Sequence, residues 1–398
     1  MCPSRAWRRL GTLEGGELMI TAETVNDIVR FEANGLPVVS LYCGVDPGES
    51  HRELRARVDS LLDQIRPLAQ DGDFEPRHRL SVRADIKRIK DAMGSERWPP
   101  GTIAIFSCSG RDLYEEIPLP RRVPEQIMVD ATPLARPMLA VLGEYCRACV
   151  LVLDRESSRV WEMYQDEMRE VETVTDPLRK AGNTETRPED RIQNRVDEQT
   201  KRHFRRVAGV IDQLLRTDGY DVLVAGGHEP ELPEFLRQLP HDLRDRVAGT
   251  FSADPAASPE AEIRGSAEAI VRQHQRGQDE RLVDQVLELA ATDGPAAIGL
   301  PECLRAGSMS AIETLLVRDG PAVPGVVCDR SRWLAASGEL CPVCGSRTRP
   351  TPDVLNELAA VVIGTGGSAR QIAADLMSEE YPAAAKLRFS PAPPDLGS

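Results

Sequence analysis

The chain has 398 residues, with 63 acidic residues against 49 Lys and Arg, and a formal net charge of −14. At about 150 residues per domain, this length predicts two or three domains and excludes a single small module. Such an acidic chain would be repelled by phosphates, so bulk coating of nucleic acid is excluded and any RNA contact has to come from local basic surfaces. The apolar runs are far shorter than the ~20 residues of a membrane-spanning helix, so no membrane partner is expected.

The cysteine content and the first 18 residues favour a cytoplasmic protein. Nine cysteines, an odd number, are typical of a reducing compartment and not of a disulfide framework. Residues 1–18 lack the apolar core of a signal peptide and are interpreted as a disordered tail, with Met19 as an alternative start. Residues 391–398 are interpreted as a second tail.

Strands and helices alternate along the chain, which predicts sheets covered by helices, a mixed α/β class. Residues 19–140 form the expected N-terminal α/β domain, with a strand at Pro37–Cys43 and helices at His51–Ile65 and Ser81–Met93. Residues 141–276 form the expected middle domain, and residues 277–390 the expected C-terminal domain. The predicted elements of these two parts are a strand at Cys149–Asp154, helices at Arg191–Leu215 and Glu260–Ala291, a helix at Asp353–Ala360, a strand at Val361–Ile363 and a helix at Ala369–Met377.

A candidate metal site lies in an insertion at residues 325–350. Cys341-Pro-Val-Cys344-Gly345 has the spacing of a zinc knuckle, in which two thiolates meet one tetrahedral zinc and the glycine relieves the backbone. Cys328 lies thirteen residues earlier and is the expected third ligand. The fourth ligand is open between Asp329, Cys303 and an outside group. A structural Zn²⁺ is one interpretation, and a turn that has lost its metal is the other.

Two basic clusters stand out from the acidic background. Arg83, Lys87 and Lys90 recur at the spacing of one helical face. The second cluster lies on the long middle helix and contains Lys201, Arg202, Arg205 and Arg206. Each cluster is either a solvated face paired with acids or a surface that grips RNA phosphates.

Taken in order, several stretches resemble the archaeal and eukaryotic class I peptide-chain release factors and Pelota, in the form of divergent bacterial homologues (Balon-type and Vms-type relatives). The stretches are Val38-Val-Ser-Leu-Tyr42, Trp98-Pro-Pro-Gly-Thr-Ile-Ala-Ile-Phe106, Val150-Leu-Val-Leu-Asp-Arg155, Asp221-Val-Leu-Val-Ala-Gly-Gly227, the Cys-x-x-Cys-Gly knuckle and Ala383-Ala-Ala-Lys-Leu-Arg-Phe389. The resemblance implies three domains, the middle one RNase H-like and the last similar to kink-turn-binding ribosomal proteins. It also implies a factor for the ribosomal A site that contacts ribosomal RNA and docks a translational GTPase such as EF-Tu.

The chain departs from that family at both of its functional motifs. Release factors carry Gly-Gly-Gln before the long middle helix, where the glutamine positions a water at the peptidyl-tRNA ester. Here that position holds Lys180-Ala-Gly-Asn-Thr-Glu-Thr-Arg-Pro188, with a single Gly182 and no adjacent glutamine. Gln193 is the nearest glutamine and the weak candidate for a catalytic role. The codon-reading Asn-Ile-Lys-Ser motif is absent as well.

These departures favour a non-hydrolytic factor that binds the A site in ribosome hibernation or stalled-ribosome handling. Two alternatives remain open. The first is a peptidyl-tRNA hydrolase in ribosome rescue that uses Gln193. The second is a ribosome-independent partner-binding protein that keeps only the fold.

Overall fold

A computed structural model describes residues 20–72, 74–93, 98–144, 146–164, 167–177, 189–217 and 219–390. Within those ranges, no helix combines the length and the apolar character needed to cross a membrane. The chain divides into two compact units, one of Met1–Gly143 with Glu280–Ser398 and one of Glu144–Asp279. The predicted first and last domains thus lie in one unit, and the division into three domains stays a prediction. Both predicted tails fall outside the described residues.

The N-terminal part of the first unit is an antiparallel sheet with helices. Its elements are α1 (Ala22–Val29), β1 (Val38–Val45), α2 (His51–Ile65), α3 (Pro76–Ala92), β2 (Gly101–Cys108), β3 (Leu113–Leu119), β4 (Gln126–Asp130) and α4 (Arg136–Glu144). The strand order is β3-β2-β1-β4, and β1 and β2 are buried at every residue. Helix α3 begins earlier than predicted because Pro76 occupies the first turn, where its missing N–H costs nothing.

The middle unit has a five-stranded mixed sheet. Its elements are β5 (Ala148–Leu153), β6 (Ser157–Tyr164), β7 (Glu167–Thr175), α5 (Glu189–Thr217), β8 (Val222–Gly227), α6 (Glu231–Gln238), α7 (His241–Arg244), β9 (Val247–Phe251) and the first turns of α8 (Glu260–Ala291). The strand order is β7-β6-β5-β8-β9. Strands β5, β8 and β9 are parallel, and β6 and β7 are antiparallel to their neighbours. Phe204 and Ile211 of α5 belong to one core cluster, and Ile263 and Ala267 of α8 belong to another.

The C-terminal part of the first unit holds two small sheets. Its elements are β10 (Ala296–Ile298), α9 (Leu300–Ser308), β11 (Ile312–Arg318), β12 (Gly325–Val327), β13 (Leu334–Ala335), β14 (Arg349–Thr351), α10 (Val354–Gly364), β15 (Ser368–Ile372) and β16 (Ala383–Leu387). One sheet has the order β10-β16-β11-β15, and the other, within the insertion, has the order β13-β12-β14. The predicted mixed α/β class is confirmed.

Two predicted elements near the end of the chain are wrong. The predicted strand at Val361–Ile363 belongs to helix α10, and the predicted helix at Ala369–Met377 is replaced by strand β15 and the loop after it. Helix α10 is buried along nearly its whole length, so its apolar run has no polar face to reveal the helical period. Strand β15 pairs in parallel with β11 alone, and as an edge strand it tolerates the polar residues that masked it.

Candidate metal centre and basic surfaces

The small sheet of the insertion brings three cysteines together. Cys328 follows strand β12 directly, whereas Cys341 and Cys344 lie on the loop between β13 and β14. The sulfur atoms of these three residues all lie within 4.8 Å of one another. The Sγ atoms of Cys328 and Cys344 are 3.4 Å apart. The sequence-predicted metal ligands Cys328, Cys341 and Cys344 are therefore adjacent in space.

The spacing of the thiols fits a tetrahedral thiophilic metal. Zinc–sulfur bonds of about 2.3 Å place thiolates about 3.8 Å apart around a tetrahedral ion. The Val343 N–H donates to Cys341 Sγ over 3.4 Å, a contact that stabilises negative charge on that sulfur. Cys328 and Cys341 are buried and Cys344 is partly exposed. The donor set could hold a divalent soft cation, and no sequence relative supplies independent support for zinc.

Hydrogen bonds favour the thiolate forms that bind metal. Hydrogen bonds from Ser346 are the largest cause of the lowered pKa of the Cys344 thiol, which is about 6. Burial acts to raise the pKa of Cys341, but hydrogen bonds, first among them one from Ser331, lower it overall. The thiolate is the metal-ligating form of cysteine, so both shifts prepare these side chains for a cation.

Neither protein residue proposed from the sequence as fourth ligand joins this group. Cys303 is fully buried in α9, where its thiol contacts the Ala297 carbonyl at 3.6 Å and burial raises its pKa. Asp329 accepts a hydrogen bond from Arg349 Nε at 3.2 Å. Neither residue belongs to the group formed by the three sulfurs.

The first basic cluster, Arg83, Lys87 and Lys90, lies on α3, and the same helix carries the buried carboxylate of Asp85. Asp85, on the inner face of α3, accepts from the hydroxyl of Ser107 at 2.7 Å and from the backbone N–H of Ser109 at 2.6 Å. On the outer face, Arg83 is exposed and donates to the Ala69 carbonyl at 3.1 Å. Lys90 pairs with Asp59 at 2.8 Å, whereas Lys87 is exposed and has no partner within the described ranges.

The second basic cluster, Lys201, Arg202, Arg205 and Arg206, lies on α5, and one of its members is paired with a carboxylate that follows β7. Asp176 forms hydrogen bonds with Nδ1 of the buried His203 at 3.0 Å and with Nη1 of Arg206 at 2.7 Å. The hydrogen bond from His203 is the largest cause of the lowered pKa of Asp176. Arg202 and Arg205 are exposed, Lys201 is half-buried, and among the described residues none of the three has an ion pair or hydrogen bond. Of the seven cations in the two clusters, those without a partner in the part of the chain that the structure describes are therefore Lys87, Lys201, Arg202 and Arg205.

The candidate catalytic residues lie largely outside the structural description. Gly182 belongs to residues 178–188, which are not described. Gln193 falls in the first turns of α5, and its side chain is not described. Both therefore stay predictions from the sequence.

A buried polar network that the sequence did not indicate lies beside the insertion. Arg349 of β14 donates through Nη1 to Asp130 at the end of β4, and through Nη2 to Glu357 of α10 at 2.8 Å. Thr351 donates to the other oxygen of Asp130 at 2.8 Å, and Thr132 donates to Glu357 at 3.0 Å. Burial raises the pKa of both carboxyls, with Arg349 acting against it. Arg349 thus joins the N-terminal and C-terminal parts of the first unit.

A second set of buried contacts joins the same two parts around the start of α4. Arg136 pairs with Asp353 at 2.7 Å, and Asp353 also caps α10 by accepting from the Leu355 N–H. Asn356 accepts from the backbone N–H groups of residues 135 and 136 and donates to the carbonyl of residue 133. These partners lie more than 200 residues apart in the chain, so no local motif could have predicted them.

Comparison with known proteins finds similarity over part of the chain. The model of bacterial archaeo-eukaryotic release factor family 10 matches residues 133–277. A Pelota homologue from Methanopyrus kandleri is 30% identical over 123 residues, which are 30% of this chain and 35% of that protein. The matched segment therefore spans about a third of that relative.

Solved structures that are similar to this chain at low sequence identity were also found. A model of ribosome-bound archaeal Pelota with ABCE1 aligns at 14% identity and a TM-score of 0.40, covering 93% of this chain and 96% of that one. The Saccharomyces cerevisiae translation termination-like factor Dom34, described as interacting with Hbs1, aligns at 13% identity and a TM-score of 0.41. It covers 69% of this chain and 77% of its own. Over the matched segments, the chain is therefore a divergent relative of the bacterial archaeo-eukaryotic release factors and of Pelota proteins.

Proposed function

We propose that this protein is a ribosome-associated translation factor that occupies the A site without hydrolysing peptidyl-tRNA, in ribosome hibernation or stalled-ribosome handling. The observation that carries the proposal is the family match over residues 133–277, which includes the segment where release factors hold Gly-Gly-Gln. In this chain that segment contains Gly182 alone and no adjacent glutamine. The chain therefore resembles the family around this segment but lacks the glutamine that would position the attacking water.

The proposal includes finer features of the fold. The middle unit is interpreted as RNase H-like. Its strand order β7-β6-β5-β8-β9, in which β6 is antiparallel to both of its neighbours, supports this interpretation. The C-terminal part is interpreted as similar to kink-turn-binding ribosomal proteins, with a structural Zn²⁺ held by Cys328, Cys341 and Cys344. A translational GTPase partner such as EF-Tu follows from the family resemblance.

Ribosomal RNA is the proposed ligand of the unpaired cations on α3 and α5. Arg202 and Arg205 project from α5 without acid partners in the described residues, and their charge is therefore available to phosphates. Replacing both by glutamine should weaken co-sedimentation with ribosomes and reduce the slope of log affinity against log salt by about two, roughly one per lost phosphate contact. The matched control is Arg264→Gln with Arg272→Gln, which removes the same charge from exposed positions of α8.

The outcome separates the proposed ligand from a general charge effect. Equal losses in both double variants would show that only net charge matters, and unchanged binding in both would remove these residues from the interface. The same series with Lys87→Gln tests the α3 surface.

A peptide-release assay tests the non-hydrolytic part of the proposal. Purified protein is incubated with ribosomes that carry labelled peptidyl-tRNA in the P site, and released peptide is measured over time. No release above the buffer rate is expected. Release that depends on the protein and is abolished by Gln193→Ala would refute the non-hydrolytic proposal and establish the rescue hydrolase. Absence of ribosome binding even at low salt would instead favour a partner-binding protein that keeps only the fold.

A further inference from the structure

The metal-binding insertion contains two loops of the same backbone geometry, and only one of them is a recognisable knuckle. In the recognisable one, the Gly345 N–H donates to the Cys341 carbonyl at 2.9 Å. The Cys341 N–H in turn donates to the Ser346 carbonyl at 2.8 Å. Gly345 has a φ of +70°, in the left-handed region that a knuckle requires at this position.

The loop after Cys328 repeats each of these features. The Arg332 N–H donates to the Cys328 carbonyl at 2.7 Å, and the Cys328 N–H donates to the Trp333 carbonyl at 2.8 Å. Arg332 has a φ of +57°, although a side chain there pays a conformational cost that glycine does not. Counting from the first cysteine of each loop, Arg332 corresponds to Gly345 and Ser331 corresponds to Cys344.

The side chain of Ser331 points toward the thiols. Its Oγ lies 3.1 Å from Cys341 Sγ, and Cys341 is one of the three grouped sulfurs. Around a tetrahedral ion with one oxygen ligand at ~2.0–2.2 Å and sulfur ligands at ~2.3 Å, an oxygen and a sulfur lie about 3.5 Å apart. The hydroxyl is therefore close to the separation that a shared metal demands.

We propose that Ser331 supplies the fourth corner of the metal site, so that the donor set is three thiolates and one hydroxyl oxygen. The inference rests on the metal site proposed above and specifies its fourth ligand. Two loops of matching hydrogen bonds contribute one pair of donors each, Cys328 with Ser331 and Cys341 with Cys344. The expected ligand is a thiophilic divalent cation such as Zn²⁺, bound more weakly than by four thiolates because a neutral hydroxyl is a poorer donor than a thiolate.

The test is metal binding by full-length variants under reducing conditions. Ser331→Cys adds a fourth thiolate and Ser331→Ala removes the hydroxyl, while Ser337→Cys adds a thiol at an exposed position of the same insertion as the matched control. Cobalt(II) absorption reports the number of thiolates on the metal, and a chromophoric chelator in competition reports Zn²⁺ affinity. In Ser331→Cys, the thiolate-to-cobalt absorption should rise by about a third and Zn²⁺ affinity should increase. Ser331→Ala should weaken Zn²⁺ about tenfold or more.

Three results would overturn the inference, and they are distinguishable. A Ser331→Cys protein with the spectrum and affinity of the Ser337→Cys control shows that position 331 does not reach the metal. Unchanged affinity in Ser331→Ala shows that the hydroxyl is not a ligand. Absence of bound metal in the unmodified protein would remove the metal site itself, whereas ribosome binding by that protein would still stand as a separate result.

Discussion

Replacing Arg349 by methionine should destabilise the junction of β4, β14 and α10 by about 3–5 kcal/mol, the range found when one partner of a buried ion pair is removed. The estimate follows from burial: the side chain of Arg349 is 23% exposed, and those of its partners Asp130 and Glu357 are 9% and 6% exposed. Methionine keeps the apolar stem of arginine but leaves two carboxylates, already short of water, without their cation. An exposed pair would lose far less, about 0–1 kcal/mol.

The loss of stability caused by Arg349→Met should depend on pH. Burial already raises the pKa of Asp130 and Glu357, and Arg349 opposes that shift. Without Arg349 both pKa values rise further above their unfolded values of about 4, so the folded state binds more protons than the unfolded state within that window. The free energy of unfolding then falls as pH rises through the window. The difference in the free energy of unfolding between the variant and the unmodified protein should be smallest near pH 4–5 and largest above pH 7.

Hydrogen exchange read by mass spectrometry measures this locally, which suits a chain whose two units need not unfold together. Peptides from β4 and α10 should lose protection by about a hundredfold or more at neutral pH, since each 1.4 kcal/mol is a factor of ten. Arg66→Met is the matched control, because Arg66 forms an exposed ion pair with Asp63. Combining Arg349→Met with Asp130→Asn and Glu357→Gln should restore part of the protection by removing the unpaired charges. A loss no larger than that of the control, or one that is independent of pH, would refute the assignment of Arg349 as a buried bridge.

Two further predictions concern the metal site and the buried anchor of α3. Protein purified without chelators should contain about one equivalent of zinc, which Cys341→Ser should remove and Cys146→Ser should leave in place; equal metal contents in both variants would contradict the site. Asp85→Asn should loosen β2 by about 1–3 kcal/mol, since Asp85 accepts from Ser107 and Ser109, and hydrogen exchange of β2 measures it. Burial is the main reason that the pKa of Asp85 is raised, so its contribution to stability falls as pH rises above about 4. The deficit of the variant should therefore shrink from acidic to neutral pH, and a deficit that grows would count against the buried carboxylate.

Sequence reasoning worked where the physical signal was local. The helix at His51–Ile65 was found from its apolar spacing and begins with a capping box of Ser50 and Glu53. The long middle helix and the strand after Cys149 carry equally regular patterns. The same reasoning failed for α10, where burial on all sides removes the polar face that distinguishes a helix from a strand. It also missed the contacts of Arg349 and Arg136, because their partners are brought together only by the tertiary fold.

The proposed fourth ligand, Ser331, is of a residue type that the sequence pattern did not point to. Metal-binding motifs are built from cysteine, histidine and acidic residues, whereas Ser331 carries a hydroxyl. The signal was still present in the spacing, since Cys328-Asp-Arg-Ser331 repeats the separation of Cys341 and Cys344. It became informative only when the hydrogen bonds of the two loops were compared. The loop after Cys328 thus has the backbone geometry of a knuckle, although Ser331 and Arg332 do not match the Cys-Gly of the sequence motif.

The distribution of ion pairs changes what the acidic net charge implies for RNA binding. Asp59 and Asp176 pair with Lys90 and Arg206, and the Ala69 carbonyl accepts from Arg83. Of the seven cations predicted to bind RNA, four therefore have neither an ion pair nor a hydrogen bond in the described residues: Lys87, Lys201, Arg202 and Arg205. At ~0.7–0.9 per phosphate contact, four cations give a salt slope of about 3 to 4, well below that of a protein that binds nucleic acid chiefly by charge. Affinity for the ribosome would then depend mainly on the fit of the folded units, with these cations setting position. The remaining acidic surface would weaken binding to RNA of any other shape.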